Sequence, residues 1–123
     1  MNKVLEEISK IGILPVVVLE DAKDAKPLAQ ALCAEVTFRI AAAKESITIM
    51  RKEFPEMLVG AGTVLTVEQV DEALEAGAQF IISPGFDEDV VKHCIEKNVP
   101  VTPGTCTPSD VQKCYRLGLD VVK

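Results

Sequence analysis

Short apolar stretches and one-faced amphipathic stretches alternate along this chain with a beat of about twenty residues, and that beat constrains the fold more than any single motif. ILPVVVL, EVTFR, MLVGAGTV, QFIISPG, VPVTPG and LDVVK read as strands, beginning near Ile13, Glu35, Met57, Gln79, Val99 and Leu119. Between them apolar residues recur at helical spacing: Ile47, Met50 and Phe54; Val67, Val70 and Leu74; Val90, Val91, Cys94 and Ile95; Val111, Cys114 and Tyr115. Nearly unbroken apolar strands separated by amphipathic helices predict a parallel sheet with right-handed crossovers. Two architectures satisfy the pattern. One is a (β/α)8 barrel, of which residues 1–123 supply the first six βα units as a single partial domain. The other is an open, flavodoxin-like sheet wound in both directions. Even spacing, and a polar or special residue at nearly every strand's C-terminal end, favour the barrel.

The helix ends carry their own chemistry. Thr66 with Gln69 makes a capping box, Asp87 caps the following helix, and Thr107, Pro108 and Asp110 supply cap, N1 proline and N3 acid in order. Gly77, Asn98 and Gly118 stand where helices close, and Pro55 stops another. Asp21 or Asp24 caps the helix before Cys33, with Pro27 favouring the later start. One junction lacks any such signal. In AQALCAEVTFR a helix meets the strand at Glu35 with no Gly, Asn or Pro between them, so a short turn is missing there.

Composition removes several function classes. A net charge of −6, with one Tyr, four Phe and no Trp, is unlike a nucleic-acid groove, which needs a basic stripe and stacking rings, and unlike a surface for anionic lipid. No apolar run nears the ~20 residues of a membrane span. MNKVLEEISK reads as an amphipathic helix and lacks the long apolar centre of a signal peptide, so the cytoplasm is the expected compartment. Cys33, Cys94, Cys106 and Cys114 form no C-x-x-C pair and read as reduced core thiols. His93 neighbours Cys94 on a helix, where adjacent side chains diverge, so no metal site is expected.

Glu35, Arg39, Thr63, the Ser83-Pro84-Gly85 and Pro103-Gly104-Thr105 turns, and Lys123 close the strands. In a barrel that rim is where chemistry sits. Arg39 can grip a carboxylate through two parallel hydrogen bonds. A lysine closing an apolar strand can lose its proton by desolvation and attack a carbonyl, and a nearby carboxylate can move protons. The set suits a small anionic carbonyl compound. Singly, Glu35 and Arg39 read equally well as solvated strand-end charges, and Lys123 as an exposed terminal amine. GAGT lacks the third glycine and the spacing of a dinucleotide loop, which leaves a nucleotide-binding domain with little support.

EVTFR, LVGAGTVLT, AGAQFIISPGF, VPVTPGTCTPSD and GLDVVK together resemble the 2-dehydro-3-deoxy-phosphogluconate and 4-hydroxy-2-oxoglutarate aldolases, in family order from Ile13 to Lys123. The resemblance implies a class I lyase that cleaves a 2-keto acid to pyruvate and an aldehyde: glyceraldehyde 3-phosphate from the phosphorylated substrate, glyoxylate from the shorter one. It implies Lys123 as the Schiff-base amine and Glu35 as the general acid/base, acting through a water. It implies Arg39 and Thr63 as carboxylate ligands and Pro84 as a wall of that pocket. No metal or organic cofactor is implied. The partners implied are a small 2-keto acid and further copies of the chain, as a trimer.

The departures from the family pattern set further expectations. About half a dozen residues, a glycine-containing turn and the start of strand two, are wanting between Cys33 and Glu35. Ile40 stands where threonine is common. The last two βα units and their phosphate-binding loops do not follow Lys123, whose own carboxylate then favours the charged ammonium. The expectation for these 123 residues alone is weak or absent catalysis, with exposed sheet edges covered by a second copy or by flattening of the sheet. A non-catalytic barrel fragment or assembly scaffold is the alternative function.

Overall fold

Helix α1 (Lys3–Ile11) opens the chain, and the Asn2 side chain caps it by accepting the Val4 amide at 2.9 Å. The computed structural model describes residues 2–30, 34–37 and 42–123, and of residues 34–36 the backbone alone. After α1 strands and helices alternate: β1 (Val16–Val17), α2 (Ala25–Ala29), β2 (Ala34–Thr37), α3 (Ala42–Glu53), β3 (Val59–Gly62), α4 (Val67–Glu75), β4 (Ile81–Ser83), α5 (Glu88–Glu96), β5 (Val101–Pro103) and α6 (Pro108–Arg116). A 3-10 turn at Ala22–Asp24, capped by Asp21, leads into α2, so Pro27 sits in that helix's first turn, where its missing amide costs nothing. Of the abrupt junction before Glu35, residues 31–33 lie outside the described residues, and Ala34 already belongs to β2.

The five strands pair in the order β1-β2-β3-β4-β5, each parallel to the next. The order never doubles back, so the flavodoxin-like alternative is not adopted. The strands are shorter than the apolar runs that predict them, and two of those runs, VPVTPG and LDVVK, begin with a residue that closes the helix before it. Gly77 and Gly118 have φ of 101° and 77°, and Asn98 has φ 56°. At each, the next amide reaches back to the helix: Ala78 to Ala73 O, Val99 to Cys94 O and Leu119 to Cys114 O, all near 3 Å. The sixth predicted strand is reduced by the same means. Of LDVVK, Lys123 alone pairs with β5, its amide donating to Pro103 O and its carbonyl accepting the Thr105 amide, both at 2.9 Å. That pattern is parallel pairing, with Lys123 beside Gly104.

Alternate strand residues divide between two environments. Val59, Ala61, Ile81 and Val101 join Ile47, Met50, Val70, Ala73, Val90, Val91 and Cys94 in one core between sheet and helices. Leu58, Phe80 and Ile82 are buried outside that core, on the other face. Two predicted helix stripes need correction. Ile95 is 39 % exposed and Tyr115 81 % exposed, while Val111 is also exposed. Cys114 is the one buried residue of helix α6, and Ile95 falls at the margin of its stripe.

The thiols also divide. Cys94 and Cys114 are buried, and desolvation pushes Cys94 up to about 11. Cys106 is exposed in the loop after β5, which corrects its reading as a core residue. Cys33 lies outside the described residues. We expect a thiol reagent near neutral pH to label Cys106 at least ~100-fold faster than Cys94 or Cys114, whose reaction must wait for local opening. Peptide mapping over time measures this, and equal rates at Cys94 and Cys106 would show that α5 is not packed on the sheet.

Candidate active site

The C-terminal ends of β4 and β5 meet through backbone. The Gly104 amide donates to Ser83 O at 3.0 Å, and the Ser83 hydroxyl donates to Gly85 O at 2.8 Å. The two Pro-Gly turns approach so closely that a Cβ on Gly104 would lie 2.0 Å from Pro84 O. Beyond Gly104, the Asp110 carboxylate accepts the amides of Cys106 at 3.3 Å and Thr107 at 3.1 Å. The Thr107 hydroxyl and these amides hold that carboxyl below its usual range. Lys123 is exposed and sits at this edge, tied to the residues on either side of Gly104.

One strand from Ser83, Thr63 directly follows β3 with φ 59°, a left-handed backbone that a β-branched residue rarely adopts. The chain bulges there, and Val64 supplies the next ladder donor, to Ile82 O at 3.2 Å. Farther out on the same rim, the first turns of α4 and α5 frame a recess of about 280 Å³. Glu68, Asp87 and Asp89 line it, which makes it a poor seat for an anion.

Of the residues singled out from sequence, Thr63, Pro84 and Lys123 thus gather at the strand C-termini. Glu35 is in the middle of β2, its Cα paired with Val16 on one side and Gly60 on the other. Arg39 lies outside the described residues. Among the described residues no group of three His, Cys, Asp or Glu could hold a metal ion, and no helix is long and apolar enough to cross a membrane. Sequence reasoning missed three features. Thr37 is buried on the Gly62–Ile82–Thr102 row. Gly104 is required by the approach of Pro84. Thr105 contacts Lys123, eighteen residues later. Strand alternation could have revealed Thr37, whereas no local signal marks the other two.

Known proteins are similar to this chain over most of its length. The sequence model of the family described as KDPG and KHG aldolase matches residues 4–123. A 2-dehydro-3-deoxy-phosphogluconate aldolase of Treponema pallidum (strain Nichols) is 45 % identical over 129 positions, which cover 100 % of this chain and 61 % of that protein. With 123 residues here, at least six of those positions have no counterpart in this chain. A crystal structure of 2-keto-3-deoxy-6-phospho-gluconate aldolase from Zymomonas mobilis superposes with TM-score 0.82 at 45 % identity, covering 87 % of this chain and 54 % of that one. A KDPG aldolase from Legionella pneumophila, solved with pyruvate captured at low pH as a covalent carbinolamine intermediate, superposes with TM-score 0.81 at 31 % identity, over 87 % of this chain and 55 % of that one. The chain spans about three-fifths of the length of the curated relatives it matches. Matched by the family model over nearly all its residues, the chain belongs to the KDPG and KHG aldolase family.

Proposed function

We propose that this chain carries the Schiff-base portion of a class I aldolase site for 4-hydroxy-2-keto acids, with KDPG or KHG as substrate. The unprotonated Lys123 Nζ adds to the C2 carbonyl, and the resulting carbinolamine loses water to give an iminium. The C3–C4 bond then breaks, its electron pair passing into the iminium to form an enamine, as a base takes the C4 hydroxyl proton and the aldehyde leaves. Protonation of the enamine at C3 and hydrolysis return pyruvate and the free amine. Glu35 serves as that acid/base, Arg39 and Thr63 hold the carboxylate, and Pro84 bounds the pocket.

The observation that carries this reading is the backbone pairing of Lys123 with β5, because it fixes a register relation to Glu35. Glu35 pairs with Gly60, and the ladders extend that row through Phe80 to Pro100, so Lys123, beside Gly104, stands four residues beyond it. An even offset puts the backbone positions of Glu35 and Lys123 in one alternation class, the one that includes Phe80 and Ile82. In an eight-stranded barrel of shear about 8, height advances about one residue per strand. Four strands and four residues therefore bring Glu35 and Lys123 to one layer. The sequential strand order supports such winding. In that barrel Thr63 is a second support, since strained backbone persists where its surroundings hold it and clusters at ligand sites.

Incubating the protein with pyruvate and borohydride tests the proposal. We expect a reduced pyruvyl adduct, mapped by mass spectrometry to Lys123 alone. Folded protein with no adduct would leave the scaffold reading in its place.

A further inference from the structure

Lys123 is held by three hydrogen bonds from two residues. Its amide donates to Pro103 O at 2.9 Å, and its carbonyl accepts both the Thr105 amide at 2.9 Å and the Thr105 hydroxyl at 3.2 Å. The amide bond restrains rotation on one side of the Lys123 Cα, and the paired carbonyl bonds restrain the other. Together they set the direction of the Cα–Cβ bond. The donor residue is itself braced on both sides. Before it, Gly104 donates to Ser83 O and abuts Pro84. After it, the amides of Cys106 and Thr107 bond the Asp110 carboxylate. A loop pinned at four neighbouring points presents the hydroxyl at a fixed place.

From this we infer that Thr105 is a positioning residue for the Lys123 amine: its side-chain and main-chain donors converge on one carbonyl and set the orientation of the reactive side chain. The inference rests on the Schiff-base reading above, and it concerns a residue that touches neither substrate nor the reacting atoms. Its leverage comes from length. Nζ lies about 6 Å from Cα in an extended lysine, so a backbone rotation of roughly 10–20° displaces the amine by about 1–2 Å. Displacements of that size are enough to slow a positioned reaction about 10- to 100-fold. The β-branched shape of Thr105 suits the role as well, since it leaves the hydroxyl few rotamers.

The test compares wild-type protein with Thr105→Val, which keeps the shape and the amide but lacks the hydroxyl, and with Thr105→Ser, which restores the hydroxyl. Each is trapped with pyruvate and borohydride across a range of pyruvate concentrations. Circular dichroism confirms folding, and hydrogen exchange reports the Lys123 amide. We expect T105V to lower the maximal trapping rate about tenfold while leaving the half-saturating pyruvate concentration unchanged. We expect T105S to recover most of that rate, and Lys123 amide exchange to rise in T105V alone. A merely structural role would not give this split or this rescue. Should T105V fail to fold, Thr105→Ala makes the same comparison. Trapping in T105V within twofold of wild type, or equal losses in T105V and T105S, overturns the positioning role and leaves the Schiff-base reading standing. Wild-type protein that forms no adduct overturns both.

Discussion

Gly104→Ala is expected to cost about 3 kcal/mol of stability and to slow adduct formation at Lys123 about 100-fold. The cause is local and steric. A Cβ at that position would stand 2.0 Å from Pro84 O, 2.5 Å from Pro84 C and 3.1 Å from Gly85 N. All three are backbone atoms, so no side-chain rotation relieves the overlap. The Pro84-Gly85 turn must move bodily, against the Ser83 hydroxyl bonded to Gly85 O and the Gly104 amide bonded to Ser83 O. Overpacking against well-ordered surroundings typically costs about 1–3 kcal/mol, and lost rim hydrogen bonds place this case at the upper end. In a domain of this size the thermal midpoint should fall by about 10 °C. The chemical effect follows because Lys123 is bonded to Pro103 and Thr105, the two residues flanking the substituted one. A thermal scan with pyruvate–borohydride trapping below the lowered midpoint separates the two effects. A variant as stable as the wild type would mean that the two Pro-Gly turns are not in contact.

How much of this was legible beforehand depends on how local each interaction is. Helix ends were, because a cap is settled within a few residues. Thr107 and Asp110, read as cap and N3 acid, form a full reciprocal box, whereas the box read at Thr66 and Gln69 is half made: Thr66 accepts the Gln69 amide, but the Gln69 side chain accepts from Leu65 and not from Thr66. Gly77, Asn98 and Gly118 close their helices as expected. The parallel sheet was also legible from the alternation, and its sequential order is not that of the flavodoxin-like alternative. Exposure was less legible. Val111 and Tyr115 have helical spacing yet face solvent, since period alone does not say how wide a face is covered. At the candidate site, motif residues could be named, but the geometry relating them could not. The four-residue offset between the row of Glu35 and Lys123 follows from ladder register, and register depends on pairing between distant strands. Cys106 shows the converse error: an apolar residue type in a polar loop, read by its type alone.

Gly60→Ala is expected to destabilise the protein by roughly 3 kcal/mol or more. Gly60 lies beside Glu35 in the ladder, and Phe80 extends the same row. The Phe80 ring covers the glycine so closely that a Cβ would meet Cε2 at 2.2 Å, Cζ at 2.3 Å and Cδ2 at 2.5 Å. A ring can swing aside where there is room, but Phe80 is 1 % exposed, with Leu58 and Ile82 buried on the same face. Relief must therefore come from strand separation or an off-rotamer ring, each costing more than the methyl gains. The paired variant makes the explanation testable. Phe80→Leu alone should cost about 1–2 kcal/mol for lost volume. If the ring is the obstacle, Gly60→Ala with Phe80→Leu should be more stable than Gly60→Ala alone, with a coupling of about 1–3 kcal/mol in a double-mutant cycle. Denaturant titration of the four proteins at matched slope gives that coupling. Strict additivity would show that Gly60 is needed for its backbone and not for the space it yields to Phe80. Coupling of the expected size would instead make the apolar floor of the sheet, one row from Thr37, a fixed surface on which the reactive groups at the rim are built.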